Sequence, residues 1–175
     1  LWGQKQERTP TWYGMFLESG EETSPVDAMH HVWNGAWPPN RSPRLEGIWL
    51  DGKTANQSLA LQPGHSCRAK VAATDPDQDP LRFRWEVMEE STSTNVGGDR
   101  ETKPAHLPGL IADPSRGEIT WHAPAKPGAY RLFAYVLDGR GHAAHANIPF
   151  RVEPPLKNNQ SANASATSSQ NKNQP

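Results

Sequence analysis

The stretch DPDQDP (75–80) puts Asp75, Asp77 and Asp79 at alternate positions of a turn that also holds two prolines, and a fourth carboxylate, Asp138, ends a later strand in DGRG. Alternating carboxylates on a tight loop supply the several hard oxygens that Ca²⁺ takes as ligands. Asp and Pro also favour such turns for conformational reasons alone, so plain turn formation is the competing reading. The Gly and distal Glu of an EF-hand loop are absent from the stretch, which excludes that motif. Structural calcium is therefore the one candidate ion, and no cofactor is required.

Other chemistry-bearing residues are less organised. His142 and His145 stand three apart in a strand-like stretch, which puts them on opposite faces, and the adjacent His30 and His31 diverge on a helix. Surface or capping roles fit all four. Cys67 is the one cysteine, so an internal disulfide and a cysteine-based zinc site are both excluded on count. No Gly-x-Ser-x-Gly elbow is present. VGGDRE (96–101) is glycine-rich without the Lys-Ser/Thr of a phosphate cradle, and reads as a turn.

The elements that must position these residues follow from composition and period. The chain has 175 residues, 34% of them hydrophobic, with 17 Pro and 14 Gly, a pattern of many turns and short strands. A formal net charge of −1, with both signs interspersed, implies neither nucleic acid nor an anionic membrane as partner. Apolar runs fall far short of a bilayer span.

Three regions succeed one another. In residues 1–40, an aromatic and charged segment precedes ESGEETSPVDAMHHVWNGAWPPNRSP. Here Ser24 is the expected N-cap, Pro25 suits the first helical position and Asp27 the first turn. Val26, Met29 and Trp33 form the expected apolar stripe, and Gly35 with Pro38 and Pro39 ends the helix. Such a pair of elements cannot bury its own stripe and reads as the last piece of something larger.

Residues 43–153 alternate with a period of two. The inward positions are Cys67, Ala69, Val71 and Ala73; then Leu81, Phe83, Trp85 and Val87; then Ile119 and Trp121. The last two runs offer Tyr130, Leu132, Ala134 and Val136, and Ala144, Ala146, Ile148, Phe150 and Val152. Short alternating runs with Gly/Pro/Asp punctuation predict an antiparallel β-sandwich, and Tyr130 stands where sandwiches place a tyrosine corner. Phe133, Tyr135 and Leu137 make the second face of that strand apolar as well. Either loops cover that face or a neighbouring domain docks there. Residues 154–175 are a polar tail of Asn, Gln, Ser and Ala, expected to be disordered.

Three stretches of the middle region, ATDPDQDPLRFRWEV, HLPGLIADPSRGEITWHAP and KPGAYRLFAYVLDGRG, resemble the cadherin-like, Ig-type family of bacterial extracellular β-sandwiches, in that family's order. The resemblance implies an Ig-like fold and Asp-rich turns of the kind that often bind Ca²⁺. The first region, LWGQKQERTPTWYGMFLESGEETSPVDAMHHVWNG followed by WPPNRSP, resembles the end of a (β/α)8-barrel glycoside hydrolase of the clan that includes the family 2 barrels. It implies a TIM-barrel remnant of last strand, loop and helix, cut from an upstream catalytic barrel.

The two catalytic carboxylates of such an enzyme would lie upstream, so no catalytic residue is assigned in this chain. The barrel resemblance carries Trp2 over as the eighth-strand sugar platform, with Gln4, Lys5 and Glu7 beyond it facing substrate hydroxyls. The competing reading of Trp2 is barrel core, and Trp12 and Tyr13 are read as packing. The implied role is accessory, the sandwich packing on and stabilising the barrel of a secreted, periplasmic or cell-surface bacterial enzyme acting on polysaccharide or glycoconjugate. One alternative is a carbohydrate-binding module, with Trp49 and Trp121 as the best-placed aromatic platforms, although Trp121, like Trp85, falls on a face assigned to the core. Another is a calcium-stabilised adhesion or spacer module.

Overall fold

The structure is a computed structural model, and it describes residues 14–92 and 104–154. Among them, one helix, α1 (Ser24–Asn34), precedes seven strands: β1 (Arg44–Leu50), β2 (Ala60–Leu61), β3 (Ser66–Thr74), β4 (Arg82–Glu89), β5 (Glu118–His122), β6 (Gly128–Leu137) and β7 (Ala143–Val152). The strands form two sheets, β1-β3-β5 and β2-β7-β6-β4. All pairings are antiparallel except the short β2, which runs parallel to β7. This division of strands between facing sheets is that of an Ig-like sandwich.

The predicted alternation places the core. Cys67, Ala69 and Val71 of β3, Trp85 and Val87 of β4, and Ile119 and Trp121 of β5 are buried together with Tyr130, Leu132, Ala134 and Val136 of β6. Ile148, Phe150 and Val152 of β7 join them, whereas Ala144 and Ala146 are only half-buried. The Tyr130 hydroxyl donates to the Lys126 carbonyl oxygen at 2.8 Å, which is the tyrosine corner.

Strand β1 does not show a clean alternation in its sequence, and the structure gives the reason. Leu45 pairs with Ala73 and Gly47 with Ala72, so the register shifts at Glu46. One extra residue turns an odd spacing into a shared face. Leu45, Ile48 and Leu50 therefore all pack on the core.

The second apolar face of β6 is covered from within the chain. Phe133 and Tyr135 are buried with Leu17, Met88 and Ala143, and Leu137 packs against them. Leu17 belongs to a small N-terminal loop closed by the Phe16–Glu22 bridge. Glu22 then extends the free edge of β7: its N–H donates to the Gly141 carbonyl oxygen, and the Ala143 N–H donates to the Glu22 carbonyl oxygen, each at 2.8 Å. Of the two sequence readings of this face, the described residues show coverage by the chain's own N-terminal segment.

Helix α1 forms where expected but presents a different face. The N-cap is Thr23 rather than Ser24, and its hydroxyl donates to the Gly14 carbonyl oxygen at 2.7 Å while accepting from no helix N–H. Gly35 closes the helix in the left-handed region at φ 71°, where an L side chain would be strained. The buried helical residue is Asp27, whereas Trp33, expected in the inward stripe, is 74% exposed beside an equally open Val32. Val26 and Met29 of the expected stripe are half-buried, and the helix is further tied down by the polar contact of Asp27.

Residues 1–13 and 155–175 lie outside the described residues, and with them the expected barrel strand, Trp2, Gln4, Lys5, Glu7, Trp12 and Tyr13, and nearly all of the polar tail. The VGGDRE turn also lies outside them. No helix among the described residues is long and apolar enough to cross a membrane.

Candidate functional site

The N-terminal segment and the sandwich meet at a polar junction. Asp27 Oδ2 accepts from the Ser42 N–H at 2.8 Å, tying the helix to the lead-in of β1. His142 Nε2 lies 3.4 Å from Glu22 Oε2 and 3.9 Å from Asp27 Oδ1. On its other side, Asn40 Nδ2 lies 2.6 Å from His142 Nδ1 and donates to Asp138 Oδ2 at 2.7 Å. His142, expected at the surface, is a central junction residue. His30 Nδ1 lies 2.9 Å from the Ala36 carbonyl oxygen, and His31 stacks on Trp37, so these two do diverge.

The four aspartates expected to hold calcium are drawn into this junction and its neighbouring turn. Asp75 Oδ1 accepts from the N–H groups of Asp77 and Asp79, and Asp77 Oδ2 accepts from the Arg41 N–H at 2.7 Å. Asp79 Oδ1 lies 3.0 Å from the Arg140 guanidinium. Asp138 Oδ1 accepts from the N–H groups of Arg140 and His142. Burial pushes the Asp138 carboxyl up, but the bonds from Arg140, Asn40 and His142, with the His142 charge, outweigh it and hold the carboxyl below its ordinary value. What these bonds leave bare and buried are Asp75 Oδ2 and Asp79 Oδ2.

Beside the junction runs an open groove of ≈ 880 Å³ between the N-terminal segment and β7, lined by Asp27, Trp37, Arg41, Ser42, Arg131 and Asn147 among others. Three buried polar atoms of its lining residues have no hydrogen-bond partner: Asp27 Oδ1, Arg41 Nε and Ser42 Oγ. Buried polar groups are normally satisfied, so a donor and a hydroxyl without partners, beside an Asp27 Oδ1 that has His142 Nε2 at 3.9 Å but no hydrogen bond, are a chemical signal. Trp37 is 46% exposed. Its ring stacks on His31 with centroids 4.3 Å apart, and the Arg41 guanidinium lies 4.3 Å from the ring centroid. The side-chain carboxylate and aromatic were in plain view in the sequence, but their meeting depends on the junction.

The aromatics considered as sugar platforms fare differently. Trp121 is 1% exposed and packs edge-on against Phe150, so it is core and cannot present a face to a ligand. Trp49 is half-buried with its indole lying over Gly47, where an added Cβ would come 2.5 Å from the ring.

At the far side of the β1–β3 ladder, three further groups converge. Asp51, His65 and Cys67 each direct one ligand-type atom to within 4.8 Å of the others, which the four aspartates do not do. The exclusion of a cysteine-based zinc site on cysteine count does not reach this mixed set, in which Asp51 and His65 stand where further cysteines would. A usable signal was the Asp51-Gly52 pair, the dipeptide of a two-residue hairpin turn.

No protein-family model matches the chain, and no curated protein matches it. Among solved structures, it is similar to the PKD1 domain of Vibrio anguillarum Epp, with 19% identity over 66% of this chain and 99% of that one, at a TM-score of 0.37. The Ig-like assignment rests on the chain's own strand order, register and tyrosine corner.

Proposed function

We propose that the chain is a non-catalytic accessory module of an extracellular protein, and that it binds hydroxyl-rich ligands, polysaccharide or glycoconjugate, in the groove beside α1. The observation that carries this reading is the bare set Asp27 Oδ1, Arg41 Nε and Ser42 Oγ next to the half-exposed Trp37. A sugar offers donors and acceptors on adjacent carbons, which match such a set, while Trp37, its ring stacked with His31 and Arg41, lines the groove. The resemblance of residues 1–40 to a barrel end supports placing the module after a glycoside hydrolase domain in a secreted, periplasmic or surface enzyme. Trp2, Gln4, Lys5 and Glu7 would then contribute to that domain's substrate face.

Retention on insoluble cellulose, chitin and xylan, together with a glycan array, tests the reading. Retention that Trp37→Ala and Arg41→Ala abolish supports it. A folded chain held by no glycan overturns it in favour of a spacer that only packs on a neighbouring domain. A glycosidase barrel encoded immediately upstream supports the enzyme context, and a different upstream domain removes it.

A second reading concerns Ca²⁺ at the 75–79 turn, and the two bare buried oxygens, Asp75 Oδ2 and Asp79 Oδ2, favour it. Both are hard donors of the kind Ca²⁺ takes, in a turn where Asp75 Oδ1 and Asp77 Oδ2 accept from backbone N–H groups and Asp79 Oδ1 faces Arg140. Thermal melts with Ca²⁺ and with chelator decide it. A rise in Tm with Ca²⁺ that is lost in Asp75→Asn supports binding, and identical melts sink it.

A further inference from the structure

We propose that Asp51, His65 and Cys67 form a binding site for a thiophilic divalent cation of the Zn²⁺ type. The three offer one carboxylate oxygen, one imidazole nitrogen and one sulfur, all within 4.8 Å of one another. His65 Nε2 lies 3.3 Å from Asp51 Oδ2. Adjacent ligands of a tetrahedral ion with metal–ligand bonds of about 2.1 Å stand about 3.4 Å apart, so this pair is already at ligand spacing. A site with sulfur and imidazole selects Zn²⁺ or Co²⁺ over Ca²⁺ or Mg²⁺.

Backbone contacts hold each ligand in place. Asp51 occupies the tip of the turn that joins Leu50 to Lys53, at φ 48°. Its N–H donates to the Arg68 carbonyl oxygen and its Oδ1 accepts from the Arg68 N–H, both at 2.8 Å, leaving Oδ2 for the ion. The His65 N–H donates to the Gln62 carbonyl oxygen, and its own carbonyl oxygen accepts from the Ala123 N–H at 2.9 Å. Cys67 sits in the β3–β5 ladder opposite Trp121. Such outer contacts orient ligands before the ion arrives.

The charge balances on binding. The Cys67 thiol releases its proton to solvent as sulfur bonds the metal, so one thiolate and one carboxylate ligand balance a 2+ ion. Asp51 and His65 are exposed while Cys67 is buried, which places the ion at the rim of the sandwich with room for a water or an outside ligand.

Titration of the whole chain with Co²⁺ and Zn²⁺ tests the site. The expected result is 1:1 binding with a near-ultraviolet thiolate-to-Co²⁺ charge-transfer band, one proton released per ion, and loss of the band in Cys67→Ser. His65→Ala and Asp51→Asn alter exposed side chains and keep the test open if Cys67→Ser does not fold. Each should weaken binding by about tenfold or more. Absence of the band at equimolar metal, or equal affinity in wild type and His65→Ala, overturns the site and leaves Asp51–His65 as an ordinary ion pair beside a core thiol.

Discussion

The Tyr130 hydroxyl and the Lys126 carbonyl oxygen, 2.8 Å apart, close the turn through which the chain enters β6. The ring of the same residue stacks on Phe150 of the neighbouring strand, with centroids 5.6 Å apart. One side chain thus ties a loop to the core. In antibody domains the tyrosine corner stands two residues before a cysteine of the inter-sheet disulfide. Here that position is Leu132, fully buried, so packing replaces the covalent link.

Tyr130→Phe keeps the ring stack and deletes the bond. The expected loss is about 1 kcal/mol. For a domain of this size that is a fall in Tm of roughly 3–6 °C. Calorimetry of the two proteins measures it, and an unchanged Tm would show that the hydroxyl contributes nothing net.

Leu17→Ala and Phe133→Ala separate the N-terminal segment from the sandwich. Both residues lie in the cluster under β6, but Leu17 is supplied by the segment and Phe133 by the sheet. Leu17→Ala should cost about 2–3 kcal/mol and Phe133→Ala about 3–5 kcal/mol. Limited proteolysis should cut Leu17→Ala between residues 14 and 42 while the sandwich persists. Protection equal to wild type there would mean that the polar junction alone holds the segment.

The pH dependence turns on Asp138. Burial raises its carboxyl, but its bonds from Arg140, Asn40 and His142 lower it further, so the folded value lies below the unfolded one. A depressed carboxylate adds stability above its unfolded pKa of about 3.9, and that stability is lost as pH falls through the folded value. Denaturant midpoints should therefore fall steeply below about pH 4. Asp138→Asn should be less stable at neutral pH and show a shallower acid limb. Parallel acid limbs for the two proteins would remove Asp138 from the account.

Cys67 should react slowly in the native state. Burial, and then the Asp51 charge, push its thiol up to about 12, so little thiolate is present at pH 8. Iodoacetamide labelling should be slow without denaturant and fast in it, and rapid native labelling would show that the rim of the sandwich opens readily.

Much of the sandwich could be read from local pattern. Cys67, Ala69 and Val71, or Trp85 and Val87, alternate because successive residues of a strand point to opposite faces, a property of the backbone that needs no partner. The same rule hid β1, where the extra residue at Glu46 resets the period, and the bulge is defined only by the register against β3. The helix shows the limit from the other side. Its span and its Gly35 stop follow from local chemistry, yet its inward residue is Asp27, because the Ser42 N–H and His142 wait on the surface it meets.

By itself, the sequence determined the alternating strands, the tyrosine corner, the helix and the order in which they occur, because each depends on neighbours a few residues away. Tertiary structure alone decided that the N-terminal segment covers Phe133 and Tyr135, that Asp27 Oδ1, Arg41 Nε and Ser42 Oγ are left without hydrogen bonds beside one groove, and that Asp51, His65 and Cys67 converge. The physical reason is that side chains on different elements meet only through strand register and sheet packing. Those are set by the summed burial of the whole core, not by the spacing of the residues that come together.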